Sequence, residues 1–476
     1  MDDKSAWKGI LRLSAVFSTI ALGIIAALAV FNQPTIDDFW YTWMVKKWGF
    51  AEAQHQWYIT INARFSSNAF MSFNSLVWGS VLFFKVFPII LLGGYVLLFT
   101  LFAKRILFPD FSRKESLHAG LLMSAVYCYG MPGFYEGFLW CSALVGYQLP
   151  FLLWGFTLLF LLRKRNTQTA GAWLFVWGFF ILLLSGFHEL MALQITVVMA
   201  FLLWFKKGWA GDNRQWVYVA LFAAATSLIF QLVSAGNLHK AQITADKNST
   251  YDYYLLVLPL IQFAYHLVRA SLLNPLLYWL LLFTAAMAGR ATYGLPALLK
   301  VNLPTMLLFT VLVLALAVGP VFLVSQIEGS KTPLRVINFS YGMLFIWLMV
   351  MVCWLVSQYS FKPVAFLTGY IISHPKWMYA SVCILFVGGI LLKGQPIIAP
   401  LANGTASQYN EQVNHRFEKI EACNTEPCMI DCLDAQPLIL CPVDACNDPT
   451  LLGYLEKVYG KRILISDSVS LQVPSP

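Results

Sequence analysis

Apolar residues along this chain come in long, nearly unbroken stretches, not in the alternating or half-turn patterns of a soluble core. Such stretches lie at 10–31, 81–103, 117–130, 149–162, 171–186, 189–205, 215–233, 272–289, 303–324, 338–357 and 376–392. About 20 apolar residues carry a helix across the hydrocarbon of a bilayer with every backbone group bonded inside the helix. The pattern predicts an all-α polytopic membrane protein of about eleven transmembrane helices. The first stretch is followed by Asn32, Gln33 and Pro34, not by a small-residue cleavage site, so a retained helix is expected there.

Three polar segments interrupt the pattern, and they divide the chain into a transmembrane domain over 1–393 and a tail over 394–476. The first segment, 32–80, mixes Trp and Tyr with scattered charges, which suits one or two interfacial helices. The second, 234–271, runs from SAGNLHKAQITADKNSTYDYY into an apolar stretch broken by His266 and Arg269, also interfacial. The tail has soluble composition and predicts a small α/β domain with helices near 411–422 and 451–459 before the strand-like RILIS. No internal repeat is visible.

Composition agrees: 59% of residues are hydrophobic and 12% charged, against roughly a quarter charged in soluble domains. With the N-terminus cytoplasmic, the inside loops hold seventeen Lys and Arg and the outside loops seven, which is the positive-inside bias. The predicted location is thus a bacterial inner membrane, multi-pass, with the tail periplasmic. The net charge of +9 then follows from topology and calls for no nucleic acid.

Cys128, Cys141, Cys353 and Cys383 fall in or beside spans and serve as small apolar residues. Cys423, Cys428, Cys432, Cys441 and Cys446 cluster in the tail, on the side where disulfides persist. Two bridges and one free thiol are expected, with the pairing open. No paired CxxC accompanies them, and no metal is predicted, although a divalent ion is not excluded by the number of acids.

Charged groups at a membrane are costly and mark candidate function. Asp37 and Asp38 follow the first span directly beside Phe39, Trp40 and Tyr41, where poor hydration raises a carboxylate toward the range of a general base. The plainer reading is a helix start capped by Thr35. Arg64 in NARFSSN offers a planar donor fork to those acids or to a phosphate. Glu136 lies among aromatics in a loop that has no Lys or Arg of its own. His188 and Glu189 fall at the turn SGFHEL, and Asn237, Lys240, Lys331 and Arg335 add outside donors and positive charge. HE lacks the second His of a zinc protease, and no phosphate loop of the GxxxxGKS kind occurs, so no cofactor is expected. Any group transferred outside the cell membrane must then arrive on a lipid carrier.

On QPTIDDFW, NARFSS, YEGFLWCSALVGYQLP, GFHEL and SAGN, the chain resembles the GT-C superfamily, multi-span glycosyltransferases that take a sugar from a polyprenyl phosphate. Within it the chain is most similar to bacterial transferases that decorate surface polysaccharide, including serotype-converting O-antigen glucosyltransferases. The resemblance implies direct displacement at the anomeric carbon, with one of Asp37 and Asp38 as base and the other orienting. Arg64, Arg335, Lys331 and Lys240 would neutralise the donor phosphate. Glu136, His188, Glu189 and Asn237 would contact sugar or acceptor hydroxyls, and Trp140 or Tyr147 would stack on a ring. The implied partners are a polyprenyl-phosphate sugar, with a hexose such as glucose, a polysaccharide or lipid-linked glycan acceptor such as O-antigen, and membrane lipid. The competing readings are a ligase or polymerase for lipid-linked glycans, a transporter or flippase, and a structural membrane subunit.

Overall fold

The computed structural model describes residues 3–162, 171–204, 214–239, 242, 254–289, 301–328, 332–359, 369, 373–441 and 443–466. The first helix, α1 (Asp3–Ala29), carries no charge after Arg12. It gives way to α2 (Ile36–Thr60), α3 (Phe65–Met71), α4 (Leu82–Phe102) and α5 (Arg113–Tyr129). An irregular segment of wide helical turns, Tyr135–Leu139 and Leu144–Gln148 around α6 (Cys141–Ala143), leads into α7 (Leu149–Leu161). There follow α8 (Gly171–Ser185), α9 (Glu189–Trp204), α10 (Arg214–Leu232), α11 (Tyr254–Leu272), α12 (Pro275–Gly289), α13 (Leu303–Glu328), α14 (Leu334–Gln358) and α15 (Pro375–Ala402). The tail adds α16 (Thr405–Ala422), β1 (Cys428–Ile430), α17 (Pro449–Tyr459) and β2 (Ile463–Ile465).

Among the described residues, seven helices are long and apolar enough to cross a bilayer. They become eight if α11 and α12, bent by 71° at their break, count as one span. This is a multi-pass helical membrane protein. The runs expected at 171–186 and 189–205 form the shorter apolar helices α8 and α9, and that at 117–130 falls in the 17-residue α5. The run expected at 149–162 begins earlier, because the turns from Cys141 continue without a break into α7.

Several polar side chains inside the bundle bond to one another, as a medium without water favours. Gln148 Oε1 accepts hydrogen bonds from the Tyr95 and Tyr127 hydroxyls at 2.7 and 2.8 Å. Trp279 donates to Ser14 at 3.1 Å. Lys8 pairs with Glu115 at 3.2 Å, setting the start of α1 beside the start of α5. At the other end, buried Asn32 donates to the carbonyls of Phe84 and Leu139 at 3.0 and 2.6 Å, clamping the exit of α1 to α4 and to the irregular segment.

Segment 32–80 forms two α-helices and a 3-10 turn at Ser75–Trp78, the longer helix bent at Gly49, whose φ of 73° a residue with a Cβ rarely adopts. The tail packs on this end. Gln33 donates to Asn410 and Asn414 at 2.8 and 3.0 Å, the Phe39 and Phe417 rings meet edge to face, and the Lys457 ammonium lies 4.9 Å from the centre of the Trp43 ring. Its short sheet is parallel, with Cys428 opposite Ile463. Disulfides join Cys423 to Cys428 and Cys432 to Cys446, and Cys441 remains a buried thiol. Helix α15 runs on past residue 394 to Ala402.

Candidate functional site

Residues far apart in sequence converge where the exit of α1, the irregular segment and the ends of α9 and α14 meet. Thr35 starts α2. Its backbone N–H and its hydroxyl both approach Asp38 Oδ2, at 2.8 and 3.1 Å, so Asp38 closes a capping box at the helix start. Asp38 is fully buried, and that burial pushes its carboxyl up to about 7, against the hydrogen bonds from Thr35 and with the help of neighbouring Asp37. The capping reading therefore describes Asp38.

Asp37 is different. It is half-buried, points away from the cap, and its Oδ2 accepts a hydrogen bond from the Ser142 hydroxyl at 3.3 Å. Burial raises its affinity for a proton, while Arg335, Ser142 and Arg64 pull it down. A carboxylate with one weak partner and two nearby guanidinium groups retains lone pairs for an incoming hydroxyl.

One guanidinium belongs to Arg335. Its backbone N–H donates to Glu136 Oε2 at 2.8 Å, its Nη1 lies 3.9 Å from the same oxygen, and its plane covers the Trp140 ring at 5.1 Å. Glu136, which has no base in its own loop, is thus neutralised by a residue 199 positions away. The expectation of an unpaired acid among rings is corrected, since α14 delivers its cation.

The other guanidinium belongs to Arg64. Its Nε lies 2.9 Å from Glu189 Oε2, so it pairs with Glu189 and not with the aspartates. Burial works against the Arg64 charge, but Glu189, seconded by Tyr147, raises its hold on the proton above the ordinary value. Asn237 Nδ2 donates to the second oxygen of Glu189 at 3.2 Å. His188 is buried, with Nε2 2.7 Å from the Tyr147 hydroxyl. Its Nδ1 lies 3.1 Å from the Leu190 N–H, which needs a lone pair, and 3.2 Å from Glu189 Oε2, which needs a proton. One nitrogen does not serve both. A neutral ring with its proton on Nε2 would satisfy the backbone donor and give that proton to the Tyr147 oxygen, whereas a charged ring would pair with Glu189.

Two glycines bring these loops together. A Cβ on Gly186 would run into the Phe65 ring, and one on Gly236 would meet the backbone of Ile61 and Asn62 at 2.5 to 2.8 Å. The strings NARFSS, GFHEL and SAGN therefore form one layer.

Beside the α2 start, a cavity is lined by Phe39, Tyr135, Trp140, Tyr409 and Phe417, so the tail supplies part of its wall. Ser142, Asn62 and Asn68 escaped the sequence reading, and Tyr41 entered it only as an apolar neighbour of the aspartates. Ser142 holds Asp37, Tyr41 donates to Asn68 at 3.2 Å, and Asn62 accepts from Asn68 at 3.2 Å. Their only sequence signal was polarity inside the strings already singled out. Lys240 and Lys331 lie outside the described residues. Among the described residues, the cluster with metal-ligand geometry is Cys432, Asp444 and Cys446, but its sulfurs are joined in a disulfide and Asp444 is bound by Arg416 at 2.6 Å. Comparisons with protein-family models, with curated proteins and with solved structures find no match to the chain.

Proposed function

We propose that this protein is a membrane glycosyltransferase that moves a sugar, a hexose such as glucose, from polyprenyl phosphate to a surface polysaccharide such as O-antigen, on the periplasmic face of a bacterial inner membrane. The observation that carries the reading is the half-buried Asp37 carboxylate, held by Ser142 and acted on by the charges of Arg335 and Arg64. A lipid-borne donor suits a site at the bilayer edge, and the sequence holds no phosphate loop of the GxxxxGKS kind.

In this reading Asp37 takes the proton of the acceptor hydroxyl. The acceptor oxygen bonds to the anomeric carbon as the bond from that carbon to the phosphate oxygen breaks, and the polyprenyl phosphate leaves with the bonding electrons. Arg335 faces the phosphate, where negative charge grows as the bond breaks. Asp38 is a positioning residue that fixes the first turn of α2 and hence Asp37. Arg64 is already committed to Glu189, so its part is to hold Glu189, Asn237 and His188 in place toward sugar hydroxyls. The aromatic lining of the cavity offers rings to a sugar of the acceptor.

The test is release of polyprenyl phosphate from a panel of polyprenyl-phosphate sugars by purified protein with acceptor glycan present. Acceptor-dependent release that Asp37→Asn abolishes supports the reading. Release indifferent to Asp37→Asn, or none with any donor, sinks it.

A further inference from the structure

Arg64 and Arg335 are each engaged by a glutamate, but a second basic cluster is not. Between α5, α11, α15 and the tail lies a pocket into which His266, Arg269 and Lys393 all project. The Lys393 ammonium donates to the Arg269 carbonyl at 2.6 Å, which holds the two cationic residues side by side. Among the described residues, no carboxylate comes within ion-pair distance of any of the three. The like charges of exposed Arg269 and half-buried Lys393 repel one another and favour an anion between them, with His266 as a further ring donor. The start of α12 opens on the same pocket through Pro275 and adds the positive end of a helix dipole.

The other walls are apolar. Tyr129, Phe134, Leu334 and Ile439 line the inner side, and at the rim Leu272, Leu273 and Leu392 are 60%, 60% and 70% exposed. Cations backed by exposed leucines suit a ligand with a charged head and hydrocarbon tails.

We propose that this pocket binds the phosphate group of a membrane lipid, as a site separate from Asp37. Its lining residues Leu334 and Phe134 are next in sequence to Arg335 and to the turn that carries Glu136. The inference rests on the charge and shape of the pocket and stands whether or not the protein transfers sugars.

The test uses the full-length protein in non-ionic detergent, titrated calorimetrically with dioctanoyl phosphatidic acid, with dioctanoylglycerol, which lacks the phosphate, and with inorganic phosphate. Phosphatidic acid is expected to bind, with inorganic phosphate at least about tenfold weaker and dioctanoylglycerol showing no heat. Arg269→Gln and Lys393→Gln, singly, are each expected to weaken phosphatidic acid about tenfold while the melting temperature of the unliganded protein stays that of the wild type. Equal affinity in wild type and both variants overturns the proposal. So does binding of dioctanoylglycerol as tight as that of phosphatidic acid, or of inorganic phosphate as tight as the lipid.

Discussion

Arg64, on the link before α3, and Glu189, at the first residue of α9, meet through an Nε to Oε2 contact of 2.9 Å across 125 positions of sequence. The pair pins segment 32–80 to the bundle. Both side chains are mostly buried, at 28% and 18% exposure, so removing one leaves the other charged and poorly hydrated. Arg64→Gln is therefore expected to destabilise the protein by roughly 3 kcal/mol. Arg64→Gln combined with Glu189→Gln should recover part of that loss. Thermal unfolding of both proteins in detergent checks it, and a double variant no better than the single one contradicts it.

Asp37 and Asp38 are adjacent but differ in what they touch, so their amide variants should separate. Asp37→Asn should cost about a hundred- to ten-thousand-fold in sugar transfer with little change in melting temperature, the loss expected on removing a general base. Asp38→Asn keeps an oxygen for the Thr35 N–H and should retain most of the turnover. Equal loss of turnover in both would return the base to an open choice.

Stability should depend on pH through these carboxyls. Burial pushes Asp38 up to about 7, above the unfolded value near 4, so the folded state holds this proton more tightly than the unfolded chain. Its contribution is complete below about pH 4, is lost as pH rises through about 7, and is flat above that. Asp38→Asn should remove this part of the slope in melting temperature between pH 4 and 8, leaving the part due to Asp37, which burial also raises. Superimposable curves for the two proteins would refute the shift.

Arg335 lies over the Trp140 ring, and Lys does not reproduce that planar contact. Arg335→Gln should lower kcat by about a hundred- to a thousand-fold, as loss of one charge-stabilising donor does, with a smaller effect on KM for the donor. Arg335→Lys should recover charge but not orientation, and so only part of kcat. A change confined to KM would mean that Arg335 binds substrate without acting on the leaving phosphate.

Cys441 is buried, and that burial, with Asp444 nearby, pushes its thiol up to about 11. Iodoacetamide at pH 8 should leave it unmodified in the folded protein and label it once the tail is unfolded. Peptide mapping without reductant should recover Cys423 with Cys428 and Cys432 with Cys446. Removing the second bridge frees a loop of 14 residues and should destabilise the tail by about 3 kcal/mol. Rapid labelling of folded Cys441 would show the thiol to be accessible.

Much of the architecture was legible in the chain because a bilayer reads hydropathy directly. An apolar run of sufficient length has no stable alternative to a helix there, so α1, α4, α10, α13, α14 and α15 announce themselves. The tail helices and the number of disulfides followed from local periodicity and from an odd count of cysteines. Where runs are short or bent, as at α5, α8, α9 and the α11 to α12 break, hydropathy does not say whether a helix crosses, because neighbouring helices decide its length and tilt. The sequence also named the acids and bases, since charge beside a membrane is rare enough to stand out. It did not say who pairs with whom. Glu136 meets Arg335, Arg64 passes over the aspartates for Glu189, and Asp37 is held by Ser142. Those choices depend on loops brought within a few ångströms by packing at Gly186 and Gly236 and by the Asn32 clamp. Contacts between residues a hundred or more positions apart leave no periodic trace in sequence, and only the tertiary fold decides them.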